Sequence, residues 1–138
     1  MNKKLLGLLT LAFFSTAIFG ILVANHGLIN KFFPLIVRIP FYDKIGHLFL
    51  MGISAFLVNY WLGAKKVKIS SQKFLLGSLI VFSIVTIEEF SQIFLQFRTF
   101  SLSDMFFDYT GIFFFGKLAD ICVKINRQKE SITENCEN

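Results

Sequence analysis

The sequence predicts an all-α membrane protein with four transmembrane helices, both termini in the cytoplasm, and a short interfacial segment between the first two helices. The first observation is composition: 54% of the 138 residues are hydrophobic, 19 residues are Phe, and the mean hydropathy is +0.64. Soluble domains of this length are rarely so apolar. The second is that the apolar residues form four long runs, and the third is that basic residues cluster between them. We assign residues 1–125 to one transmembrane domain.

The first predicted helix covers residues 5–24 and follows a basic start, Lys3–Lys4. A helix needs about 20 apolar residues to cross the hydrocarbon of a bilayer, and this run is close to that length. A secretory signal peptide is the competing interpretation, with the two lysines as its basic region. The run is too long for that interpretation and no clear small-x-small cleavage site follows it. We therefore favour a retained helix.

Residues 25–44 are predicted to lie in the membrane interface rather than to span it. This segment contains both prolines, and Lys31 and Arg38 interrupt its apolar residues. Proline ends or kinks a helix, so a continuous span is excluded here. The side chains expected to anchor the segment are Phe32, Phe33 and Phe41.

The second predicted helix covers residues 44–63, with Asp43 as its N-cap. Asp43 and His47 are four residues apart and form a pair on one helix face. Met51 and Ser54 share that face. A polar face on an apolar helix predicts a contact with another helix.

The third predicted helix covers residues 74–97 and the fourth residues 104–125, with a short loop between them that carries Arg98. At about 100° per residue, polar side chains three or four positions apart share a helix face. On the third helix these are Glu88, Glu89, Gln92 and Gln96, and on the fourth Asp104 and Asp108. Gly111 lies on the same face as the two aspartates and is expected to be a structural glycine that allows close helix packing. Ionisable residues in apolar segments are energetically costly, so we expect the two faces to converge in a functional site.

Basic residues predict the orientation of the four helices. One side of the proposed membrane has Lys3, Lys4, Lys65, Lys66, Lys68, Lys73, Lys124, Arg127 and Lys129, and the other has Lys31, Arg38, Lys44 and Arg98. The larger set faces the cytoplasm by the positive-inside rule, which puts the polar residues near the outer ends of helices two to four. The polar tail, residues 126–138, is predicted to be disordered and cytoplasmic. Cys122 and Cys136 would also face the cytoplasm, which keeps thiols reduced, so we expect no structural disulfide.

The net charge of +5 raises the question of a nucleic-acid partner. The basic residues lie between apolar segments, where they orient membrane helices, so we expect a lipid bilayer and no nucleic acid. The sequence has no G-x-S-x-G, Walker or dinucleotide-binding glycine pattern. This argues against the commonest soluble enzyme classes.

The polar residues form an ordered series: Asp43-Lys44-x-x-His47, Glu89-x-x-Gln92, Arg98, Asp104 and Gly111. This series resembles the VanZ-like family of small bacterial membrane proteins, named for a protein of a glycopeptide-resistance cluster associated with reduced susceptibility to teicoplanin. The pattern of that family is D-K-x-x-H, then E-x-x-Q, an Arg, an Asp and N-x-x-G. The match covers residues 43–116, and the order and spacing make it specific. The resemblance implies a multi-pass protein of the bacterial cytoplasmic membrane and no established reaction.

The chain departs from that pattern at two positions. Asp108 stands where the family has Asn, and Gly116 comes one residue later than the usual G-x-x-x-G allows. Asp104 and Asp108 are four residues apart, so their charges are expected to repel. We expect one of the two carboxyls to be protonated unless Arg98 or His47 lies between them.

Several roles remain open for the charged residues. His47 is a candidate general base, metal ligand or proton-switchable partner of Asp43, or else pairs with Glu89 or Asp104 to hold the helices in register. Arg98 is a candidate ligand for a phosphate or carboxylate, or an interfacial arginine paired with Asp104.

The acidic residues invite a metal interpretation that the sequence does not support. His47, Glu89, Asp104 and Asp108 have suitable ligand atoms, but no H-x-x-x-H or H-E-x-x-H spacing occurs. We assign no metal and no cofactor. Glu88 and Glu89 cannot both be charged in apolar surroundings, and the family pattern selects Glu89 as the site residue.

Three functional hypotheses follow. In the first, the outer polar cluster binds an anionic lipid-linked or envelope molecule, and the resemblance suggests a glycopeptide-type antibiotic or the cell-wall precursor that it targets. In the second, the protein is an enzyme that acts on a lipid headgroup or polyprenyl phosphate, with His47 and Glu89 in acid–base roles. A transporter is the third and weakest, since four short helices leave little room. No nucleophile is evident, so binding ranks above catalysis.

Overall fold

The protein is described by a computed structural model, which covers residues 3–26, 28, 31, 34–35, 38–95 and 100–137. It is mostly helical, as the sequence predicts. In chain order, these residues form α1 (Lys3–Asn25), α2 (Tyr42–Trp61), β1 (Lys66–Ile69), β2 (Gln72–Leu75), α3 (Leu76–Ser91) and α4 (Leu102–Glu137). A short 3₁₀ turn, Gln92–Phe94, follows α3.

The start of α2 differs from the prediction. The helix begins at Tyr42, and its N-cap is Phe41, which has a φ of 59° and makes no capping hydrogen bond through its side chain. Asp43 is therefore not the N-cap but lies in the first turn of the helix. A negative charge there is stabilised by the positive end of the helix dipole.

Part of the predicted interfacial segment lies outside the described residues, including Phe32 and Phe33. Of the remainder, Lys31, Pro34, Leu35 and Arg38 are exposed. The prediction that this segment lies in the membrane interface stays a prediction.

The centre of the fold is the packing of α2 against α4, with α3 against both. Its apolar core consists of Ala55, Val81, Val85 and Ile112. Gly111 brings α4 close to α2, because a Cβ atom at this position would meet the backbone carbonyl oxygen of Leu48. This is the close helix approach expected of a glycine at this position.

The basic loop between α2 and α3 contains an antiparallel hairpin that the sequence analysis missed. The strands are joined by Ser70–Ser71, and Ser70 has a φ of 56°. A positive φ at the first turn residue is what tight two-residue hairpin turns require. Lys68 lies directly opposite Lys73. The available signal was the alternation of lysine and apolar residues over 66–69.

The hairpin also changes the start of the third helix. Strand β2 takes residues 72–75, so α3 begins at Leu76 rather than at residue 74. Its regular helix ends at Ser91 and the 3₁₀ turn ends at Phe94, three residues before the predicted end.

Helix α4 is much longer than predicted. It has 36 residues and continues to Glu137, whereas the prediction ended it at residue 125 and made residues 126–138 disordered. The sequence contains no Gly or Pro after Gly116, so no residue interrupts the helix. Arg127 also holds this part of α4 against the end of α2, where its Nη2 donates to the carbonyl oxygen of Gly63 at 2.8 Å.

Apolar side chains cover much of the outer surface. On α1, Leu8 and Leu11 are 64% and 66% exposed, and on α4 Phe106 is 67% exposed. Two helical segments within the described residues, Lys4–Val23 and Leu76–Phe94, are long and apolar enough to cross a membrane. Exposed apolar patches of this kind mark surfaces that contact a membrane or another protein.

Candidate functional site

The first part of the site comes from the first two turns of α2. Asp43, Lys44 and His47 project from there towards α4. His47 Nε2 lies 3.9 Å from an Asp43 carboxylate oxygen, which confirms the predicted pair four residues apart. The His47 side chain is largely buried, whereas Asp43 is nearly half exposed. This end of α2 therefore joins the interior of the site to the protein surface.

The second part comes from the end of α3. Gln92 Nε2 donates to Glu89 at 2.9 Å and to the two carboxylate oxygens of Glu88 at 3.1 and 3.2 Å. One amide thus holds both carboxylates, as their shared helix face predicts. Glu89 is fully buried and Glu88 only partly so. The more buried glutamate is the one that the family pattern selects.

The third part comes from the first turns of α4, where Asp104 and Asp108 are both buried. Ser101 precedes this helix and caps it, because its Oγ accepts the backbone N–H of Asp104 at 3.2 Å. The backbone N–H of Ser101 donates in turn to Glu89 Oε1 at 2.8 Å. The polar faces of α3 and α4 therefore converge, as expected, through a carboxylate that binds the beginning of the next helix.

Asp104 and Asp108 each contact a different basic side chain of α2. Lys44 Nζ lies 3.3 Å from Asp104 Oδ1. His47 Nδ1 lies 3.0 and 3.2 Å from the two carboxylate oxygens of Asp108. The expected repulsion between the two aspartates is thus opposed by two separate partners, one of which is the histidine considered in the sequence analysis. The register alternative for His47 named Glu89 or Asp104, and its closest partner is instead Asp108.

Arg98 and Gln96 lie outside the described residues, so their predicted roles stay predictions. Asp104, for which an arginine partner was considered, has Lys44 as its ion-pair partner among the described residues.

Acidic groups outnumber basic groups in the described part of the site. The carboxylates are Asp43, Glu88, Glu89, Asp104 and Asp108, and the basic groups are Lys44 and His47. Burial makes uncompensated charge costly, so the buried carboxylates favour cations or protons, whereas Lys44 lies at the partly exposed edge of the cluster.

Among the described residues, two sets of three side chains have ligand atoms within 4.8 Å of one another, close enough to hold a metal ion. One set is Asp43, His47 and Asp104, and the other is His47, Glu89 and Asp108. His47 belongs to both. Each set combines residues of at least two helices, which is why no complete metal-binding spacing was visible in the sequence.

Asn59 is a buried polar residue that the sequence analysis missed. Its Nδ2 donates to the Ala55 carbonyl oxygen at 2.9 Å and lies 2.8 Å from Ser78 Oγ, and its Oδ1 accepts the backbone N–H of Ser78 at 3.2 Å. Gly77 and Gly116 leave room for this contact, since a Cβ atom at either would meet Asn59 or Ser78. A single asparagine in an otherwise apolar stretch was the available signal.

The distal part of α4 contains a second group of ion pairs. Asp120 Oδ2 contacts Lys66 Nζ at 2.9 Å and Lys124 Nζ at 3.0 Å. Lys117 and Asp120 are three residues apart, a spacing that favours a local ion pair, but Lys117 lies over the ring of Phe113 instead. The group ties the hairpin to α4 and lies far along the helix from the site.

No protein-family model, no curated protein and no solved structure matches the chain.

Proposed function

We propose that the chain is a VanZ-like, multi-pass protein of the bacterial cytoplasmic membrane, with four spanning helices and both termini in the cytoplasm. The distribution of side chains in α2 and α4 supports this. His47 on α2 and Asp104 and Asp108 on α4 face the interior of the fold, and outward residues such as Phe49 and Phe113 are apolar and exposed. The inward charges lower the average hydropathy of these helices, while the face directed at lipid is apolar.

We further propose that the polar cluster of α2, α3 and α4 binds an anionic lipid-linked or envelope molecule. The observation that carries this is the ion pair of Lys44 with Asp104 at the edge of the cluster. The Lys44 side chain is 29% exposed, and its 3.3 Å contact is longer than the roughly 2.7–2.9 Å of a strong charge-assisted hydrogen bond. An incoming phosphate or carboxylate can therefore take the ammonium group from Asp104. The motif assigns the second positive charge to Arg98.

The resemblance suggests which anionic molecules to test. Candidates are a glycopeptide antibiotic of the teicoplanin type and the lipid-linked cell-wall precursor that it targets. Binding of either one would connect this cluster to antibiotic resistance.

The test is binding of a polyprenyl phosphate and of the cell-wall precursor to the purified protein in lipid nanodiscs. We expect Lys44→Gln to weaken binding about tenfold, which corresponds to roughly 1.4 kcal/mol, because a charged contact with the ligand is lost. Lys129→Gln is the matched control, since Lys129 is an exposed lysine on the distal part of α4.

Equal affinity of the parent and the Lys44→Gln variant for both lipids would exclude this site as the binding site. An equal loss for Lys129→Gln would mean that general surface charge, rather than the cluster, attracts the lipid.

A membrane enzyme is the second candidate function, and the contact of His47 with Asp108 favours it. A buried carboxylate that accepts from one imidazole nitrogen orients the ring and leaves the other nitrogen for proton transfer. Here Nδ1 faces Asp108, so Nε2 is the nitrogen on the side of the exposed Asp43. Incubation of the protein and a His47→Ala variant with labelled bacterial lipids tests this. The same products from both proteins would count against catalysis.

A further inference from the structure

In the described part of the site, two sets of candidate ligands share His47 and differ in their carboxylates. The first pocket combines His47 with Asp43 and Asp104, and Asp104 already contacts the ammonium group of Lys44 at 3.3 Å. The second pocket combines His47 with Glu89 and Asp108, and no described lysine or arginine contacts either carboxylate. We propose that His47, Glu89 and Asp108 bind a divalent transition-metal cation.

The distances fit a cation of this size. One ligand atom from each of the three side chains lies within 4.8 Å of the other two. Metal–ligand bonds of about 2.0–2.2 Å place the ligand atoms of a tetrahedral ion roughly 3.4 Å apart. Small side-chain rotations close this difference, and His47 Nδ1 is already 3.0 Å from Asp108.

Burial and charge make a cation favourable at this position. Glu89 and Asp108 are both 0% exposed. Two ionised carboxylates and a neutral imidazole together carry two negative charges. In this buried position water does not solvate these charges, and a divalent cation would neutralise both. Asp108 also has free acceptor capacity, because among the described residues one His47 nitrogen is the donor to both of its oxygens.

Glu89 is already held in the orientation that a ligand needs. The backbone N–H of Ser101 donates to its Oε1, and Gln92 Nε2 donates to its Oε2. Ligating carboxylates are commonly fixed in this way by hydrogen bonds from surrounding groups. The remaining lone pairs of both oxygens stay available to a metal.

The ligand set selects the class of cation. Imidazole nitrogen favours zinc and other transition metals over Mg²⁺ and Ca²⁺, which prefer oxygen ligands alone. Carboxylate oxygens keep Mn²⁺ and Zn²⁺ acceptable and disfavour soft ions such as Cu⁺. Zn²⁺ and Mn²⁺ are therefore the probes of choice, with Mg²⁺ as the weak comparison.

Such a cation would also supply positive charge beside Lys44 for an anionic ligand, and that role rests on the proposed function. The binding of the cation itself does not. Metal titrations on the purified protein without added lipid test the cation site separately from the anion site. The lipid-binding assay can fail while metal binding succeeds, and metal binding can fail while the lipid-binding assay succeeds.

The first experiment is elemental analysis and calorimetric titration of the full-length protein in detergent, stripped with chelator and then supplied with Zn²⁺ or Mn²⁺. We expect one cation per chain, and an affinity for Mg²⁺ at least about 100-fold weaker. Pulsed electron paramagnetic resonance of the Mn²⁺ form should detect one imidazole nitrogen, and this signal should be lost in His47→Ala but kept in His26→Ala.

Variants then assign the pocket. We expect Glu89→Gln and Asp108→Asn to weaken Zn²⁺ binding by more than the roughly 10- to 100-fold typical of residues that only support a ligand. Asp104→Asn is the matched control on the same helix and should change the affinity less than about threefold, because its carboxylate belongs to the other pocket.

Three results would overturn the proposal. The first is an absence of stoichiometric Zn²⁺ and Mn²⁺ binding to the parent protein. The second is binding that is lost in Asp104→Asn but kept in Glu89→Gln, which would move the metal to the other pocket. The third is binding that occurs only in Arg98→Gln, which would mean that a guanidinium group occupies the pocket in the native protein.

Discussion

Among single residues, Asn59 has the clearest structural effect. The first N–H groups of a helix have no partner within the helix, and Leu75, the N-cap of α3, offers no side-chain acceptor. The side chain of Asn59 in α2 accepts one of these N–H groups, that of Ser78. A residue of one helix thus caps the next, and this links the stability of α3 to its packing on α2.

We expect Asn59→Ala to lower the free energy of unfolding by about 2 kcal/mol, because it removes a helix cap and leaves the Ser78 N–H without its acceptor. The measurement is chemical unfolding in detergent micelles, followed by circular dichroism. Asn126→Ala is the control, since it removes the same amide from an exposed position, where it donates a hydrogen bond to the Tyr60 hydroxyl. The control should change stability by less than about 0.5 kcal/mol, and an equal loss in both would refute the capping argument.

The pairing of charges in the site also depends on single residues, and this part was not predictable in full. Helical spacing identified the residues, since polar side chains in apolar segments stand out. It did not identify the partner of His47, because the choice between Glu89, Asp104 and Asp108 depends on the rotation and depth of α4 relative to α2. Sequence periodicity describes one helix at a time and contains no information on that rotation.

At the scale of elements, the contact between α2 and α4 positions the site. Both helices carry site residues near one end. Their backbones come together at Gly111, about one helical turn after Asp108 on α4. A displacement of α4 at this point would separate Lys44 from Asp104 and His47 from Asp108 together.

We therefore expect Gly111→Ala to destabilise the protein by about 1–3 kcal/mol, since the new methyl group would collide with the carbonyl of Leu48 and push the helices apart. The same chemical unfolding in detergent micelles, followed by circular dichroism, measures this loss of stability. Gly46→Ala is the matched control on α2, where, apart from the nearby backbone of its own helix, no described atom lies within 4 Å of the added Cβ. It should leave stability unchanged or raise it by up to about 1 kcal/mol. If the two variants behave alike, close backbone packing at Gly111 is not what holds the helices together.

The elements themselves were predictable to different degrees, for physical reasons. Long apolar runs identified all four helices, because each run is long enough to form several helical turns, and two of them, Lys4–Val23 and Leu76–Phe94, are also long and apolar enough to cross a membrane. The hairpin was missed because two strands of four residues give too few alternations to be distinguished from a basic loop. The helical tail was missed because polar composition was taken to indicate disorder, although nothing in residues 117–137 breaks a helix.

At the scale of the whole molecule, the proposed topology places the hairpin and the distal part of α4 in the cytoplasm and the segment before α2 outside. The contacts of Asp120 with Lys66 and of Arg127 with Gly63 hold the hairpin and the distal part of α4 together at the same end of the molecule. At about 1.5 Å per residue, the 36 residues of α4 span roughly 54 Å, which exceeds the approximately 30 Å of hydrocarbon. The excess would project from the cytoplasmic surface.

Single-cysteine variants test this topology in a background with Cys122 and Cys136 replaced by serine. With a membrane-impermeant maleimide, we expect Leu35→Cys to be labelled in intact spheroplasts and Ser71→Cys only after permeabilisation. Gln128→Cys on α4 should behave like the hairpin variant, because both lie on the predicted inner side. Labelling of Ser71→Cys in intact spheroplasts would contradict the proposed orientation, because it would place the hairpin outside the cytoplasm.

The order in which the helices follow one another has a consequence for biosynthesis. His47 and Glu89 belong to α2 and α3, whereas their partners Asp108 and Ser101 lie at or before the beginning of α4, which the ribosome makes later. A nascent chain of which only α2 and α3 have left the ribosome therefore has a histidine and a glutamate without these partners. Once α4 has been made and has packed, both residues gain their partners, and the energetic cost of leaving them unpaired is removed. We expect chains that stall before this point to be the ones that quality-control proteases recognise and degrade.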